Sequence, residues 1–175
     1  MGELAIASNE TNMVGLWLEG QRYYMDVLEG KEYQEKETDV IKLAEEWLDR
    51  YFKGEKPKIQ ELPIEFIGSD FRKQVWTILC GIPYGRVITY GDIAKQIAKQ
   101  KKLEKMSAQA VGGAVGRNPI SIIVPCHRVV GADGSLTGYS GGVEVKARLL
   151  ALEGVDISNL FVSVPQMICC TDKEM

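Results

Sequence analysis

The feature that most constrains the fold of this chain is a pair of short helices predicted between residues 89 and 116. Thr89 can cap a helix that begins YGDIAKQIAKQ, and after the basic linker KQKKLEKM, Ser107 can cap a second helix, AQAVGGAVG. Two short helices joined in this way predict a helix-turn-helix with a longer connection than usual.

The second of these helices consists almost entirely of alanine, glycine and valine. Such side chains cannot read base edges in a major groove, and two consecutive glycines cost about 1 kcal/mol each in helix propensity. One explanation is close approach to a DNA minor groove, which is only about 6 Å wide. The other is tight packing against a helix of the same core, and the residues alone leave both open.

Charge divides the chain into an acidic and a basic part. Residues 1–70 carry 8 Lys and Arg against 16 Asp and Glu, a net of −8, whereas residues 71–148 carry 12 against 4, a net of +8. Because salt screens charges beyond about 10 Å, the local basic block matters more than the overall net of −3. The second part could therefore bind nucleic acid, although an ordinary solvated surface would carry the same charges.

The first part of the chain predicts a small sheet and a helix. VGLWLEG and RYYMDVLEG have the composition of two strands separated by a turn around Gly20. A helix follows from Thr38, and KGEKPKIQELP is a connector before a helix capped by Ser69 or Asp70. We therefore expect an α+β protein with an N-terminal domain over 1–65, a C-terminal helical domain over 66–160 and a tail over 161–175.

The chain has no run of about 20 apolar residues and no signal-peptide pattern at its N-terminus, which predicts a cytoplasmic protein that does not enter a membrane. Four cysteines at uneven spacing do not form a disulfide framework. A reducing compartment would keep them as thiols, so a reactive cysteine is allowed. Two of them, Cys169 and Cys170, lie in the tail and suggest no function.

A thiol and the only histidine of the chain are adjacent, at Cys126 and His127. The apolar run over 120–124 predicts a buried strand that ends at Pro125. An imidazole could take the proton of a thiol whose ordinary pKa is about 8.5, provided that the pair lies on a turn or is joined by a water. Glu153, at the end of the predicted helix VEVKARLLALEG, could orient the imidazole. Alternatively, Cys126 is a small buried hydrophobe and His127 a surface residue.

The longer pattern resembles the O6-alkylguanine-DNA alkyltransferase family. SAQAVGGAVGRNPISIIVPCHRVVGADGSLTGYSGG, PYGRVITYGDIA and a lysine-containing helix that closes on Leu-Glu-Gly occur in family order over about residues 71–155. The resemblance implies a ribonuclease H-like N-terminal domain and a C-terminal winged-helix domain. It also implies irreversible, single-turnover transfer of the alkyl group of O6-alkylguanine to a cysteine, with O4-alkylthymine as a further candidate substrate. The expected partner is double-stranded DNA, bound through the minor groove by a monomer without a cofactor or an obligate protein partner.

The resemblance also assigns the roles in catalysis. Cys126 matches the alkyl acceptor, His127 the base that reaches it through a water, and Glu153 the carboxylate that holds the imidazole. Tyr90 matches the phenol that donates toward the leaving guanine. Asn118 matches the residue that braces the turn between the recognition helix and the active site.

The remaining assignments concern the flipped nucleotide and the DNA. The backbone groups of Val129 and Ser140 would bind the guanine, with Tyr139 as an apolar wall, and the loop over 134–142 would fold over it. Gln109 stands where better known animal members have an arginine that fills the gap left by the flipped nucleotide. The expected DNA contacts are Thr89, Gln109, Ala110, Gly112, Gly113, Arg117 and Arg128.

Some members of the family bind zinc in the N-terminal domain, but residues 1–79 contain neither Cys nor His, so no metal is expected. Other relatives lack the acceptor cysteine and only mark damage, which the presence of Cys126 argues against. Two rival functions share the thiol. One is a DNA-binding regulator that senses electrophiles through Cys126, and the other is a cysteine hydrolase that turns over repeatedly.

Overall fold

The computed structural model describes residues 2–161. Its N-terminal part is an antiparallel pair of strands, β1 (Leu4–Ser8) and β2 (Met13–Leu18), whose register places Leu4 opposite Leu18. Every residue of β2 is buried, because helix α1 (Asp39–Phe52) packs against the pair. The α+β class expected from the sequence is confirmed. Of the tail predicted over 161–175, the structure describes only Phe161; the rest, which includes Cys169 and Cys170, lies outside the described residues.

The strand predicted over RYYMDVLEG is wrong. Tyr23 and Met25 have φ angles of 65° and 54°, in the left-handed region, and Asp26–Leu28 forms a short 3-10 helix. Extended backbone cannot pass through such angles. The partner of β2 is instead the preceding segment LAIAS, so the hairpin lies earlier in the chain than the sequence predicts.

The predicted helices are confirmed. They are α1, α2 (Asp70–Cys80), α3 (Tyr90–Lys101), α4 (Ala108–Gly116) and α5 (Val143–Leu152). Thr38, Thr89 and Ser107 each accept a hydrogen bond from a backbone N–H of the first turn of their helix, as predicted for N-caps. Helices α3 and α4 contact each other and α2, which is the helix-turn-helix arrangement.

The apolar run over 120–124 is buried, but the prediction that it is a strand is wrong. Ile122 has a φ of 68°, and the Val124 N–H donates to the Ile120 carbonyl, so the segment is a tight turn. Only its first residues pair with β2, where Ser121 N–H donates to the Leu16 carbonyl over 2.8 Å. The turn delivers the chain to a 3-10 helix, Cys126–Arg128, and then to strand β4 (Val129–Val130).

Strand β4 pairs in parallel with β3 (Ile88–Thr89), which immediately precedes α3. This pairing fixes the 3-10 helix next to the first residue of α3. The main hydrophobic cluster continues from Met13 in β2 to Leu149 in α5, so the N-terminal part packs directly against the helical part. Within residues 2–161, no helix is long and apolar enough to cross a membrane.

Candidate active site

Helix α4 exposes a face of small residues. Gln109, Ala110 and Gly113 are exposed, whereas Val111 and Ala114 belong to the core. A Cβ added at Gly113 would meet no heavy atom within 4 Å, so packing inside the protein does not explain this glycine. At Gly112, an added Cβ would lie 3.7 Å from Cδ1 of Tyr90, which is an ordinary contact. The exposed side of α4 therefore has room for a close approach from outside.

Cys126 lies on the first residue of the 3-10 helix and is 3% exposed. The Asn118 side chain just after α4 holds the turn that leads to it. Its Nδ2 donates to the Val124 carbonyl over 2.9 Å and to the Cys126 Sγ over 3.0 Å, while its Oδ1 accepts from the Ile120 N–H. A single amide thus joins the end of the exposed helix to the sulfur, which agrees with the bracing role expected for Asn118.

His127 follows on the same 3-10 turn and is fully buried. Its Nε2 lies 2.8 Å from Glu153 Oε1, and its Nδ1 has no hydrogen-bond partner among the described residues. Because the Glu153 pKa is lowered to about 2, the carboxylate is an acceptor and Nε2 carries the ring proton. The neutral ring then has its basic lone pair on Nδ1, and burial keeps the ring neutral by lowering the His127 pKa.

Glu153, the residue after α5, accepts hydrogen bonds from four residues in three parts of the chain. Besides His127, Arg128 donates through Nε to Oε2 over 2.8 Å and through Nη2 to Oε1 over 2.9 Å, and the Gly85 N–H donates to Oε2. Tyr51 of α1 donates its hydroxyl proton to Oε1 over 2.7 Å. Burial acts to raise the Glu153 pKa, but the hydrogen bonds from His127 and Arg128 to the charged form outweigh it and hold the pKa low.

The sequence led us to expect Arg128 at the DNA interface, but its side chain is buried beside Glu153. The residue is 6% exposed, and its third donor group, Nη1, reaches the Ile82 carbonyl over 2.5 Å. A guanidinium occupied in this way forms a structural ion pair with Glu153, which argues against the expected DNA contact. That contact stays a prediction. Tyr51 and Gly85 are site residues that sequence reasoning missed, because nothing local in the chain connects them with Glu153.

Tyr90, the first residue of α3, lies near the thiol. Its hydroxyl donates to the Thr137 carbonyl over 2.8 Å, and burial raises its pKa to about 12. Lys146 of α5 is fully buried and donates to the same carbonyl over 3.0 Å and to the Val129 carbonyl over 2.5 Å. A Cβ on Gly138 would lie 2.7 Å from the Tyr90 hydroxyl, so this position needs glycine for the phenol to approach.

The expected guanine-binding groups line the same region. Tyr139 is 8% exposed and stands edge-on to the His127 ring at 6.5 Å between centroids. The Val129 carbonyl already accepts from Lys146 and the Ser140 carbonyl from the Arg22 N–H, but each carbonyl retains a second lone pair. These assignments stay predictions.

Two expected DNA contacts lie near the ends of α3 and α4. Thr89 uses its hydroxyl in the cap of α3 and is half-buried. The Arg117 guanidinium lies 4.1 Å from the Tyr23 ring centroid and 3.6 Å from the Asp26 carboxylate, so it has partners within the protein. Both roles on DNA stay predictions.

The Cys126 thiol is protonated at rest. Burial raises its pKa, while the hydrogen bond from Asn118 and the charge of Lys146 act in the opposite direction. Burial also lowers the pKa of Lys146 to about 8. The thiol therefore becomes a nucleophile only when a base takes its proton, and His127 is the neighbouring group with a free basic nitrogen.

These features define a class: a helix-turn-helix protein with a buried cysteine next to a histidine that is bound to a glutamate. Residues 70–155 match the family described as "6-O-methylguanine DNA methyltransferase, DNA binding domain", and residues 1–66 match "6-O-methylguanine DNA methyltransferase, ribonuclease-like domain". The chain belongs to the 6-O-methylguanine DNA methyltransferase family.

Individual relatives agree with this membership. The methylated-DNA–protein-cysteine methyltransferase of Methanosarcina barkeri is 40% identical over 159 residues, which covers 87% of this chain and 91% of the relative. That of Haemophilus influenzae is 37% identical over 155 residues, covering 89% and 82%. The crystal structure of Mycobacterium tuberculosis OGT in complex with DNA superimposes with a TM-score of 0.72 at 36% identity, covering 90% of this chain and 88% of that one.

Proposed function

We propose that Cys126 accepts the alkyl group of O6-alkylguanine in DNA, once, and retains it. The protein is a methylated-DNA–protein-cysteine methyltransferase and acts in DNA repair. The observation that carries the assignment to Cys126 is its hydrogen bond from Asn118, which joins the sulfur to the end of helix α4 and its exposed small-residue face.

The reaction needs a proton acceptor at the sulfur and a proton donor at the purine. The thiol proton passes to Nδ1 of His127, directly or through one water, and the imidazolium that results is stabilised by Glu153 at 2.8 Å. The thiolate attacks the alkyl carbon, so that an S–C bond forms as the C–O6 bond breaks. The departing guanine takes a proton from the Tyr90 hydroxyl, which otherwise donates to Thr137. A thioether has no internal group to reverse it, so each molecule reacts once.

Access to the sulfur requires movement of the residues that cover it, and we propose that the loop over 134–142 moves, because its residue Tyr139 lies beside His127. Cys126 is only 3% exposed, so a guanine cannot reach its sulfur in this conformation. The loop is held by hydrogen bonds from Tyr90 and Lys146 to the Thr137 carbonyl and from the Arg22 N–H to the Ser140 carbonyl. The base must also leave the duplex, which costs least when alkylation has weakened its pairing. Gln109, exposed near the start of α4, occupies the position from which a side chain would fill the gap.

The partner is DNA, and we propose that it is the double-stranded form, contacted through the minor groove by Ala110, Gly112 and Gly113. We further propose that the protein acts in the cytoplasm as a monomer without an obligate protein partner. The division into domains at residues 65 and 66 is also a proposal.

Single-turnover kinetics with a duplex that carries one radiolabelled O6-methylguanine test this function. Label should appear on the protein and stop at one methyl per molecule, and Cys126→Ser should take up none. Continued turnover, or label on the Cys126→Ser variant at the unaltered rate, would reject the proposal; continued turnover would favour the hydrolase.

The rival regulator is separated by Tyr90→Phe. If the protein repairs DNA, losing this proton donor slows methyl transfer by about 100-fold or more, while the reaction of Cys126 with iodoacetamide does not slow. In a regulator that only senses electrophiles, Tyr90→Phe would slow neither reaction.

A further inference from the structure

Helix α1 contributes a side chain to the active site from 102 positions away in the sequence. Tyr51 is 1% exposed, and its hydroxyl donates to Glu153 Oε1 over 2.7 Å. The same oxygen accepts from His127 Nε2 over 2.8 Å. The phenol and the imidazole are therefore bound to one carboxylate oxygen, and the position of either affects the other.

The Tyr51 ring is held independently of Glu153. It stacks on Trp47 with 5.4 Å between centroids and an angle of 11°, and it meets Phe52 and Tyr84 edge-on at 5.4 Å and 6.0 Å. The Trp47 indole N–H is in turn anchored to the Lys58 carbonyl over 2.9 Å. Because aromatic packing fixes the ring, its hydroxyl is a preorganised donor and Oε1 of Glu153 adopts the position that this donor sets.

We propose that Tyr51 is a positioning residue for alkyl transfer, which fixes Glu153 Oε1 and through it directs His127 Nδ1 toward Cys126. This inference rests on the proposed function of Cys126. It makes the N-terminal part of the chain a component of the active site, although that part contains neither the nucleophile nor the base. The residue acts through Glu153 and does not touch the substrate.

The hydrogen bond also tempers the charge on the carboxylate. The Tyr51 hydroxyl on Oε1 reduces the negative charge that would otherwise stabilise the His127 imidazolium. Loss of this hydroxyl should therefore raise the His127 pKa. A charged His127 cannot take the thiol proton. Removing the Tyr51 hydroxyl should therefore move the acid limb of the rate profile to higher pH, an effect that lost packing alone does not produce.

Several other ionisable groups face this pair and must keep their charge state for the pH profile to be read in this way; Tyr84 is uncharged throughout, because burial raises its pKa. Those around Glu153 and His127 are Tyr84, Cys126, Arg128, Tyr139 and Lys146. Tyr84 offers a matched control, because its hydroxyl donates to the Leu152 carbonyl over 3.1 Å and not to the Glu153 carboxylate. Tyr51→Phe and Tyr84→Phe each remove one hydroxyl from neighbouring rings.

The test measures Cys126 alkylation by an O6-methylguanine duplex, and separately by iodoacetamide, between about pH 4 and 8. This range extends below that of an ordinary imidazole, because burial lowers the His127 pKa. Tyr51→Phe should slow the duplex reaction by about tenfold at neutral pH, because one hydrogen bond to a charged group is lost. It should also shift the acid limb to higher pH by roughly half a pH unit to one pH unit. Tyr84→Phe should match the unaltered protein in both reactions. An unchanged Tyr51→Phe profile, or equal slowing at every pH without a shift, would overturn the proposal.

NMR can measure the tautomer and the pKa of His127 directly, without a reaction rate. His127 is the single histidine of the chain, so all imidazole resonances in an NMR titration belong to it. The unaltered protein should hold the Nε2–H tautomer, and Tyr51→Phe should raise the pKa of the ring. An Nδ1–H tautomer in the unaltered protein would overturn the proposal even if Tyr51→Phe failed to fold. If the unaltered protein accepted no methyl group from DNA, the proposed function would fail, whereas the NMR and iodoacetamide profiles would still report on Tyr51.

Discussion

Replacing Arg128 with methionine tests whether this residue forms a structural ion pair or contacts DNA. Arg128 makes two hydrogen bonds to Glu153 and one to the Ile82 carbonyl, with 8% of its side chain exposed. Removing one partner of such a buried pair costs about 3–5 kcal/mol. Because Tyr51, His127 and Gly85 still donate to the carboxylate, we expect the lower end, about 3 kcal/mol.

For a chain of this length, a loss of about 3 kcal/mol lowers the melting temperature by about 6–12 °C. Urea unfolding of Arg128→Met gives the free energy of unfolding, and fluorescence anisotropy at several salt concentrations gives the affinity for duplex DNA. Arg148→Met is the matched control, since Arg148 is an exposed arginine on α5. We expect the control to change stability by no more than about 0.5 kcal/mol.

The salt dependence supplies the decisive contrast. If Arg128 is the buried support of Glu153, the slope of log K against log salt stays the same for the folded variant. A phosphate contact would instead reduce the slope by about one, with little change in stability. The second result would refute the reasoning from the structure and restore the prediction from the sequence.

Three further predictions follow from single residues. The Glu153 pKa is lowered from 4.5 to about 2 in the folded protein. The carboxylate therefore contributes about 3 kcal/mol to the free energy of unfolding above pH 4.5, and this contribution is lost as the pH falls toward 2. Acid unfolding curves of Glu153→Gln should lack this loss. Gly113→Ala should raise the free energy of unfolding by about 0.5–1 kcal/mol, because a Cβ there meets nothing, yet should weaken binding to duplex DNA in anisotropy measurements if the glycine faces the groove. Gly138→Ala should slow methyl transfer, because the added Cβ would lie 2.7 Å from the Tyr90 hydroxyl and because the backbone φ of 77° disfavours alanine. An unchanged single-turnover rate would show that Tyr90 does not need this loop conformation.

Features encoded over a few neighbouring residues could be predicted from the sequence. Thr38, Thr89 and Ser107 cap their helices as expected, because a cap is a contact between a side chain and the backbone three residues later. The Cys126 and His127 pair lies on a 3-10 turn, which is one of the two arrangements, a turn or a bridging water, that the alternation of side chains on a strand left open.

Features that depend on distant contacts could not be predicted. The segment after β2 has the composition of a strand, but the Arg22 N–H bonds to the Ser140 carbonyl and the Tyr23 ring packs on Arg117, which hold it in a left-handed turn. Tertiary contacts here override local propensity. Tyr51 and Arg128 were missed as partners of Glu153 for the same reason, and a charged side chain is ordinarily expected at the surface.

The most direct test of the central claim is the mass of the protein after incubation with a duplex that contains O6-methylguanine. The account predicts a gain of roughly 14 Da per molecule, one methyl group, located by fragmentation on Cys126. An unchanged mass after the lesion has been lost from the duplex, or a methyl group on any other residue, would contradict it.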